Sequence, residues 1–227
     1  MPLLDISQLK KSFVSPEGPA KRIIDVKHFS LASKAHVALQ GESGSGKTTF
    51  LHLIAGILKP DSGSLLLAGQ EMCQLAEPQR DRLRATTIGY IFQNFNLLEG
   101  YTCLENVLLA MSFGRGVNRS LAEALLKRVG LGERLQHYPR QLSTGQQQRA
   151  AVARALANRP KVVLADEPTG NLDQRNARAA LALIRQTCHE NNAALLMVSH
   201  DPEALSQFDH VQQFSQINQN SPIEVPA

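Results

Sequence analysis

An α/β fold is predicted by three features of the sequence. Four short apolar runs are continuous rather than alternating, the pattern of parallel strands covered by helices on both faces; helical periodicity falls between them; and each run leads directly into a chemically capable segment. In open parallel sheets ligands lie beyond the carboxyl ends of the strands, so these segments are expected along one edge.

The first run, His36 to Gln40, feeds a glycine-rich stretch from Gly41 and then a helix-like stretch expected to end at Lys59-Pro60. The second, Ile88 to Phe92, delivers Gln93. From about 94 to 159 the chain shows helical patterns and no clear strand, and reads as a helical subdomain inserted into the sheet domain. Within it, Ser120-Leu-Ala-Glu123 has the form of a capping box and opens a segment with Leu121, Leu125 and Val129 on one stripe before Gly130 ends it. The third run, Val162 to Ala165, ends in Asp166 and Glu167, after which Ala177, Leu181, Ile184 and Cys188 recur at helical spacing. The fourth, Leu195 to Val198, ends in Ser199 and His200. The polar stretch from about Ser215 to Ala227, with Pro222 and Pro226, is expected to be a loosely ordered tail.

A chain of 227 residues suits one domain, or one with an inserted subdomain. With 43% hydrophobic and 19% charged residues its composition is that of an ordinary globular protein. Lys and Arg number 24 against 20 Asp and Glu, a net charge of +4 without basic runs, which reads as general solubility and not as a nucleic-acid surface. No uninterrupted apolar stretch is longer than that of Ala193 to Val198, which falls far short of the ~20 residues of a membrane-spanning helix. The opening Met-Pro-Leu-Leu-Asp lacks the basic start and apolar run of a secretory signal. Cys73, Cys103 and Cys188 have no CxxC spacing, so neither a disulfide framework nor a zinc site is implied and a reducing cytosol is expected.

Gly41-Glu-Ser43-Gly44-Ser45-Gly46-Lys47-Thr48 fits the phosphate-loop pattern G-x-x-x-x-G-K-[ST], between an apolar run and a helix. Such glycines let successive N–H groups turn inward at phosphate oxygens, and the helix starting near Lys47 adds its positive end. Lys47 is expected to bridge the β- and γ-phosphates and the Thr48 hydroxyl to ligate Mg²⁺. The fixed positions match by chance on the order of once in a hundred chains of this length. Asp166 is then placed to hold the Mg²⁺ shell, and Glu167 to orient and deprotonate an attacking water. An apolar run ending in Asp-Glu is by itself more often a strand end before a turn, here at Pro168; the phosphate loop gives it meaning. Likewise a lone histidine after a strand is usually a surface or capping residue, but beside a nucleotide site His200 becomes a donor to the γ-phosphate. Gln93, neutral and able both to donate and to accept, suits sensing of metal or water. His189 and His210 show no ligand spacing.

Ser143-Thr-Gly-Gln146 can be read as a capping box, and equally as an exposed helix N-terminus whose Ser143 and Gly145 amides form a second anion site. The full segment, Leu-Ser-Thr-Gly-Gln-Gln-Gln-Arg-Ala-Ala-Val-Ala-Arg-Ala-Leu-Ala from Leu142, resembles the signature of the ATP-binding cassette (ABC) ATPases. The resemblance runs in order from about Leu3 to Phe214: the phosphate loop is similar to their Walker A, Gln93 to their Q-loop, Asp166-Glu167-Pro168 to their Walker B, Asn171-Leu-Asp173 to their D-loop and His200 to their switch histidine. Phe92-Gln-Asn-Phe-Asn-Leu-Leu and Glu167-Pro-Thr-Gly-Asn-Leu-Asp are similar to the group of lipoprotein-releasing, macrolide-exporter and cell-division cassettes. Two departures stand out. Thr144 replaces the first glycine of the usual Leu-Ser-Gly-Gly-Gln, which is expected to slow closure or hydrolysis, and Phe13 occupies the place of the tyrosine that most often stacks on adenine.

The resemblance implies a P-loop NTPase with a largely parallel core, an antiparallel β edge and an inserted helical subdomain. It implies one nucleotide-binding domain over 1–227: a catalytic core at about 1–93 and 160–214, the helical subdomain at about 94–159 and a tail at 215–227. It further implies contacts to ATP at Phe13, Gly41, Ser43, Gly44, Ser45, Gly46, Lys47, Thr48, Thr49, Ser143, Gly145, Gln146 and Asp173, Mg²⁺ at Thr48, Gln93 and Asp166, and hydrolysis by Glu167, His200 and Gln93. Since the signature of one subunit closes over ATP held by the other, a head-to-tail dimer is expected, energising transmembrane permease subunits on separate chains at the cytoplasmic face of a membrane. A regulatory ATPase controlling an envelope enzyme is the alternative. A cassette acting on nucleic acid or ribosomes is expected to carry two cassettes or a long coiled-coil insertion, which 227 residues do not hold. A P-loop GTPase is disfavoured because no Asn-Lys-x-Asp occurs.

Overall fold

All four apolar runs fold as strands, joined by a second set that the runs do not mark. In the computed structural model, which describes residues 1–14 and 20–219, the chain order is β1 (Leu4–Phe13), β2 (Lys21–Leu31), β3 (His36–Gln40), α1 (Lys47–Ile54), β4 (Ser62–Leu67), β5 (Gln70–Glu71), α2 (Glu77–Thr87), β6 (Ile88–Ile91), α3 (Cys103–Ser112), α4 (Arg119–Arg128), α5 (Thr144–Leu156), β7 (Val162–Asp166), α6 (Gln174–Glu190), β8 (Ala194–Ser199), α7 (Pro202–Leu205), β9 (Val211–Gln213) and α8 (Phe214–Ile217).

The parallel sheet has the order β6-β7-β8-β3-β9. Every residue of β7 and β8 is buried, and successive side chains divide between two cores. Val163, Ala165, Leu195 and Met197 pack with α3, α4, α5 and α6. Val162, Leu164, Leu196 and Val198 pack with α1 and the antiparallel strands. Each Val, Leu or Met side chain among these contributes ~1.5–3 kcal/mol on full burial, so a strand covered on both faces reads as a continuous apolar run. The antiparallel sheet, β2-β1-β4-β5, supplies the expected β edge. There burial alternates, with Leu4, Ile6 and Leu9 of β1 and Ile24 and Val26 of β2 facing inward. A register shift between Ser7 and Lys10 accounts for the break in the alternation of β1.

Four local expectations are corrected. α1 stops at Ile54, ahead of Lys59-Pro60. Ser120 does not cap α4: the Asn118 side chain accepts from the Leu121 amide, and the buried residues of the helix are Ala122 and Leu126, with Val129 following, while Leu121 and Leu125 pack at its flank. Gly130 does end that helix, in the left-handed conformation at φ +78°. Phe92 lies just outside β6.

The fourth correction concerns the tail. Phe214 is fully buried and its ring lies 5.5 Å from that of Phe50. Asn218 is also buried and bridges to Val26 on β2. The start of the tail is therefore anchored at Phe214 and Asn218, while Ser215, Gln216 and Gln219 stay exposed; Pro222 and Pro226 lie outside the described residues. The elements between 94 and 159 are helical. Among the described residues no helix is long and apolar enough to cross a membrane.

Candidate active site

The carboxyl ends of β3, β7 and β8, with the segment after β6, open onto one cleft of about 580 Å³. It is lined by Phe13, Val14, Lys21, Ile23, Ser43, Gly44, Gly46, Lys47, Thr48, Thr49, Gln93, Glu167 and His200. Gly46 makes the turn into α1. It is the N-cap at φ +99°, and a Cβ there would meet Ile23 Cγ2 at 3.1 Å and Ile24 Cδ1 at 3.2 Å, so both conformation and space call for glycine. Among the described residues no side chain caps this helix start, which leaves its first amides for an anion. The Ser45 hydroxyl is buried without a hydrogen-bond partner among the described residues, a second unfilled polar group in the loop.

Lys47 is only 5% exposed. Its ammonium donates to the carbonyls of Gly41 (2.6 Å) and Glu42 (2.7 Å) and stands 3.5 Å from Glu167 Oε1. Glu167 in turn is held from β8. Its Oε2 accepts from the Ser199 hydroxyl at 3.1 Å and from the His200 amide at 3.4 Å, and Oε1 lies 2.9 Å from His200 Nδ1. Thr48 Oγ1 donates to Asp166 Oδ1 at 3.2 Å. Burial is the largest influence on the Asp166 carboxyl and pushes its pKa up, partly opposed by the Thr48 hydrogen bond. A hydroxyl and a carboxylate side by side at a phosphate loop form the hard oxygen donor set that Mg²⁺ takes together with substrate phosphates. Among the described residues no cluster of three or more His, Cys, Asp or Glu suited to a metal occurs elsewhere.

Gln93 lines the cleft, and its carbonyl accepts from Asn171 Nδ2 at 2.8 Å; the same Asn171 amide group donates to Asn94 Oδ1 at 3.1 Å. The following residues, Phe95 and Asn96, have left-handed φ values of 59° and 49°, and the Arg154 guanidinium of α5 donates to both of their carbonyls. Phe13 stands 41% exposed at the cleft, with Lys11 Nζ 5.6 Å from its ring centroid.

Ser143, Gly145, Gln146 and Asp173 do not line this cleft. Ser143 caps α5: its hydroxyl accepts from the Gln146 amide, and its own amide donates to Gln146 Oε1. Asp173 caps α6 through the Asn176 amide, which holds its carboxyl below the usual range, and a Cβ on Gly145 would lie 3.8 Å from Asn176 Oδ1. The signature helix and α6 thus begin side by side outside the lining of this cleft. Motif spacing does not mark Ser199, Lys21 or Ile23 as site residues. Ser199 carries no signal beyond its place at a strand end, and Lys21 and Ile23 belong to a strand that only its alternation could have revealed.

A family model described as ABC transporter matches residues 24–170. The lipoprotein-releasing system ATP-binding protein LolD of Shewanella oneidensis is 41% identical over 91% of both chains. The macrolide export ATP-binding/permease protein MacB of Syntrophobacter fumaroxidans is 42% identical over 89% of this chain and 29% of its own length. Among solved structures, the ATP-binding cassette MJ0796, dimeric in a post-hydrolysis state with ADP and Pi, superposes with a TM-score of 0.85 at 30% identity, covering 96% of this chain and 95% of that one. A phosphate loop, a carboxylate held against a histidine, and a signature helix that starts outside the cleft are thus matched by likeness over nearly the whole chain, and the chain belongs to the ABC transporter family.

Proposed function

We propose that the chain is the ATP-hydrolysing subunit of a membrane complex of the lipoprotein-releasing or macrolide-exporter type, working by closure of a cassette dimer. The observation that carries this reading is the convergence of Lys47, the uncapped start of α1, Glu167 and His200 on one cleft. The loop amides and Lys47 hold the triphosphate, and Phe13 with Ile23 forms the wall for the base. Thr48 and Asp166, with Gln93, would hold a Mg²⁺ ion, which would supply neutralisation of phosphate charge. Glu167, held by Ser199 and His200, orients and deprotonates the attacking water, and His200 then donates toward the γ-phosphate. The signature residues Ser143, Gly145 and Gln146, with Asp173, complete the site of the opposing subunit.

The relatives are named for a lipoprotein-releasing system and for macrolide export, a likeness that supports the reading of a membrane partner met at the cytoplasmic face. The Glu167→Gln variant tests the chemistry. MgATP binding is expected to persist while steady-state hydrolysis falls at least a hundredfold, general-base contributions being ~10²–10⁴, with an ATP-bound dimer accumulating on gel filtration. Hydrolysis at the unaltered rate would overturn the assignment of Glu167. Co-purification from detergent-solubilised membranes identifies the partner.

A further inference from the structure

Behind the phosphate loop, Asn218 occupies a position that the nucleotide chemistry does not by itself require. It is 1% exposed, and its side-chain amide is engaged at both ends. Oδ1 accepts from the Asp25 amide at 2.7 Å, while Nδ2 donates to the Ile23 carbonyl at 2.9 Å and to the Ser45 carbonyl at 3.4 Å. One side chain from the end of the described chain therefore ties β2, whose Ile23 lines the cleft, to the middle of the phosphate loop. Phe214, one turn earlier, supports the other end of the loop: a Cβ on Gly41 would lie 3.3 Å from its Cβ.

A trans peptide is planar, with its carbonyl and the following N–H pointing in opposite directions. Holding the Ser45 carbonyl back toward Asn218 turns the Gly46 N–H the other way, toward the cleft that Gly46 lines. We infer that Asn218 is a positioning residue for nucleotide binding: by anchoring the Ser45 carbonyl and the Ile23 strand together, it fixes the Gly46 amide as a phosphate donor. The inference rests on the ATPase reading above and adds a residue remote from the reacting atoms. It also gives the packed C-terminal turn a role in substrate affinity and none in the chemical step.

The test compares the full-length protein with Asn218→Asp and Asn218→Leu. Aspartate keeps the acceptor for Asp25 and loses both donor bonds; leucine removes all three. Calorimetric titration with MgADP and MgATP is expected to show about tenfold weaker binding in both variants, the worth of one hydrogen bond to an anion. KM for MgATP should rise to match, with kcat at saturation within about twofold of the unaltered chain. In a ¹H–¹⁵N spectrum of the unaltered protein, MgADP should move the Gly46 amide proton strongly downfield, and in Asn218→Asp that displacement should shrink. Unchanged affinity in either folded variant, or a loss carried by kcat with KM unmoved, overturns the inference. So does a Gly46 amide that stays in place while the unaltered protein binds MgADP, a measurement that stands even if the variants do not fold. Failure of the unaltered protein to bind MgADP would instead remove the ATPase reading itself.

Discussion

Glu167 sits at φ +44°, a left-handed conformation that costs a non-glycine residue of order 1–3 kcal/mol. It is held there by its amide, which donates to the Val198 carbonyl, and by its carboxylate, bound by Ser199 and His200, so that β8 fixes the conformation of the residue that follows β7. Its neighbour Asp166 bears a different cost. The carboxyl is buried, its pKa is raised chiefly by loss of water, and the adjacent Glu167 charge adds to the rise. Under the proposed mechanism a bound cation would relieve both effects, so the Asp166 charge would be unfavourable in the nucleotide-free protein and useful in the loaded one. Asp166→Asn removes the buried charge while keeping an acceptor for Thr48. In chelator, this variant is expected to melt a few degrees higher, a gain of ~1 kcal/mol corresponding to about 2–4 °C for a chain of this size. Its affinity for ATP should become nearly independent of Mg²⁺. Thermal denaturation and paired titrations with and without the metal check both halves, and an undiminished Mg²⁺ dependence would remove Asp166 from the metal shell.

Among the elements, α5 combines structural and functional roles at its first turn. The Ser143 hydroxyl closes a capping box with Gln146, yet the same exposed helix start is the site assigned to a partner's γ-phosphate. Ser143→Arg separates the two. Loss of the cap costs ~1 kcal/mol and is expected to lower the melting temperature by a few degrees. The cleft of the same chain contains no residue of α5, so MgATP affinity of the monomer should stay unchanged while turnover falls at least tenfold. Weakened monomer binding would place Ser143 in its own chain's site. Legibility in the sequence follows the same division between locally and remotely determined features. β3, β7 and β8 were readable because burial on both faces makes a strand continuously apolar, and the loop after β3 was readable because phosphate binding demands glycines at fixed spacing. α2 was not, since Leu83 and Thr87 are its only buried residues and leave no stripe. The cap of α4 was misplaced because Asn118 and Ser120 both offer capping oxygens, and the packing of Ala122, Leu126 and Val129 decides between them. Ser199 and Asn218 act through partners far away in the chain, Glu167 for the one and Ile23 and Ser45 for the other, which no local pattern encodes.

At the scale of the whole molecule, the chain presents a phosphate loop and a signature helix that do not share a cleft. A single copy therefore lacks a complete site under the proposed mechanism, and two copies related by a two-fold axis complete two sites at once. The strongest test uses two inactive chains. Ser143→Arg keeps an intact phosphate loop and spoils the signature; Lys47→Ala keeps the signature and spoils the loop. Each alone should be nearly inactive, as both composite sites of either homodimer contain the defect. Mixed in equal amounts they form heterodimers in which one site draws its loop from the first chain and its signature from the second, and this site is intact. Random pairing makes half the dimers mixed, with one of two sites sound in each, so activity should return to about a quarter of the unaltered rate if a single site turns over independently. If hydrolysis requires both sites closed together, the mixture stays inactive, and ATP-dependent dimerisation of the mixture on gel filtration then shows whether closure itself has been rescued. Sites assembled within one chain predict neither recovered turnover nor rescued closure, and that pair of outcomes would exclude the shared-site dimer.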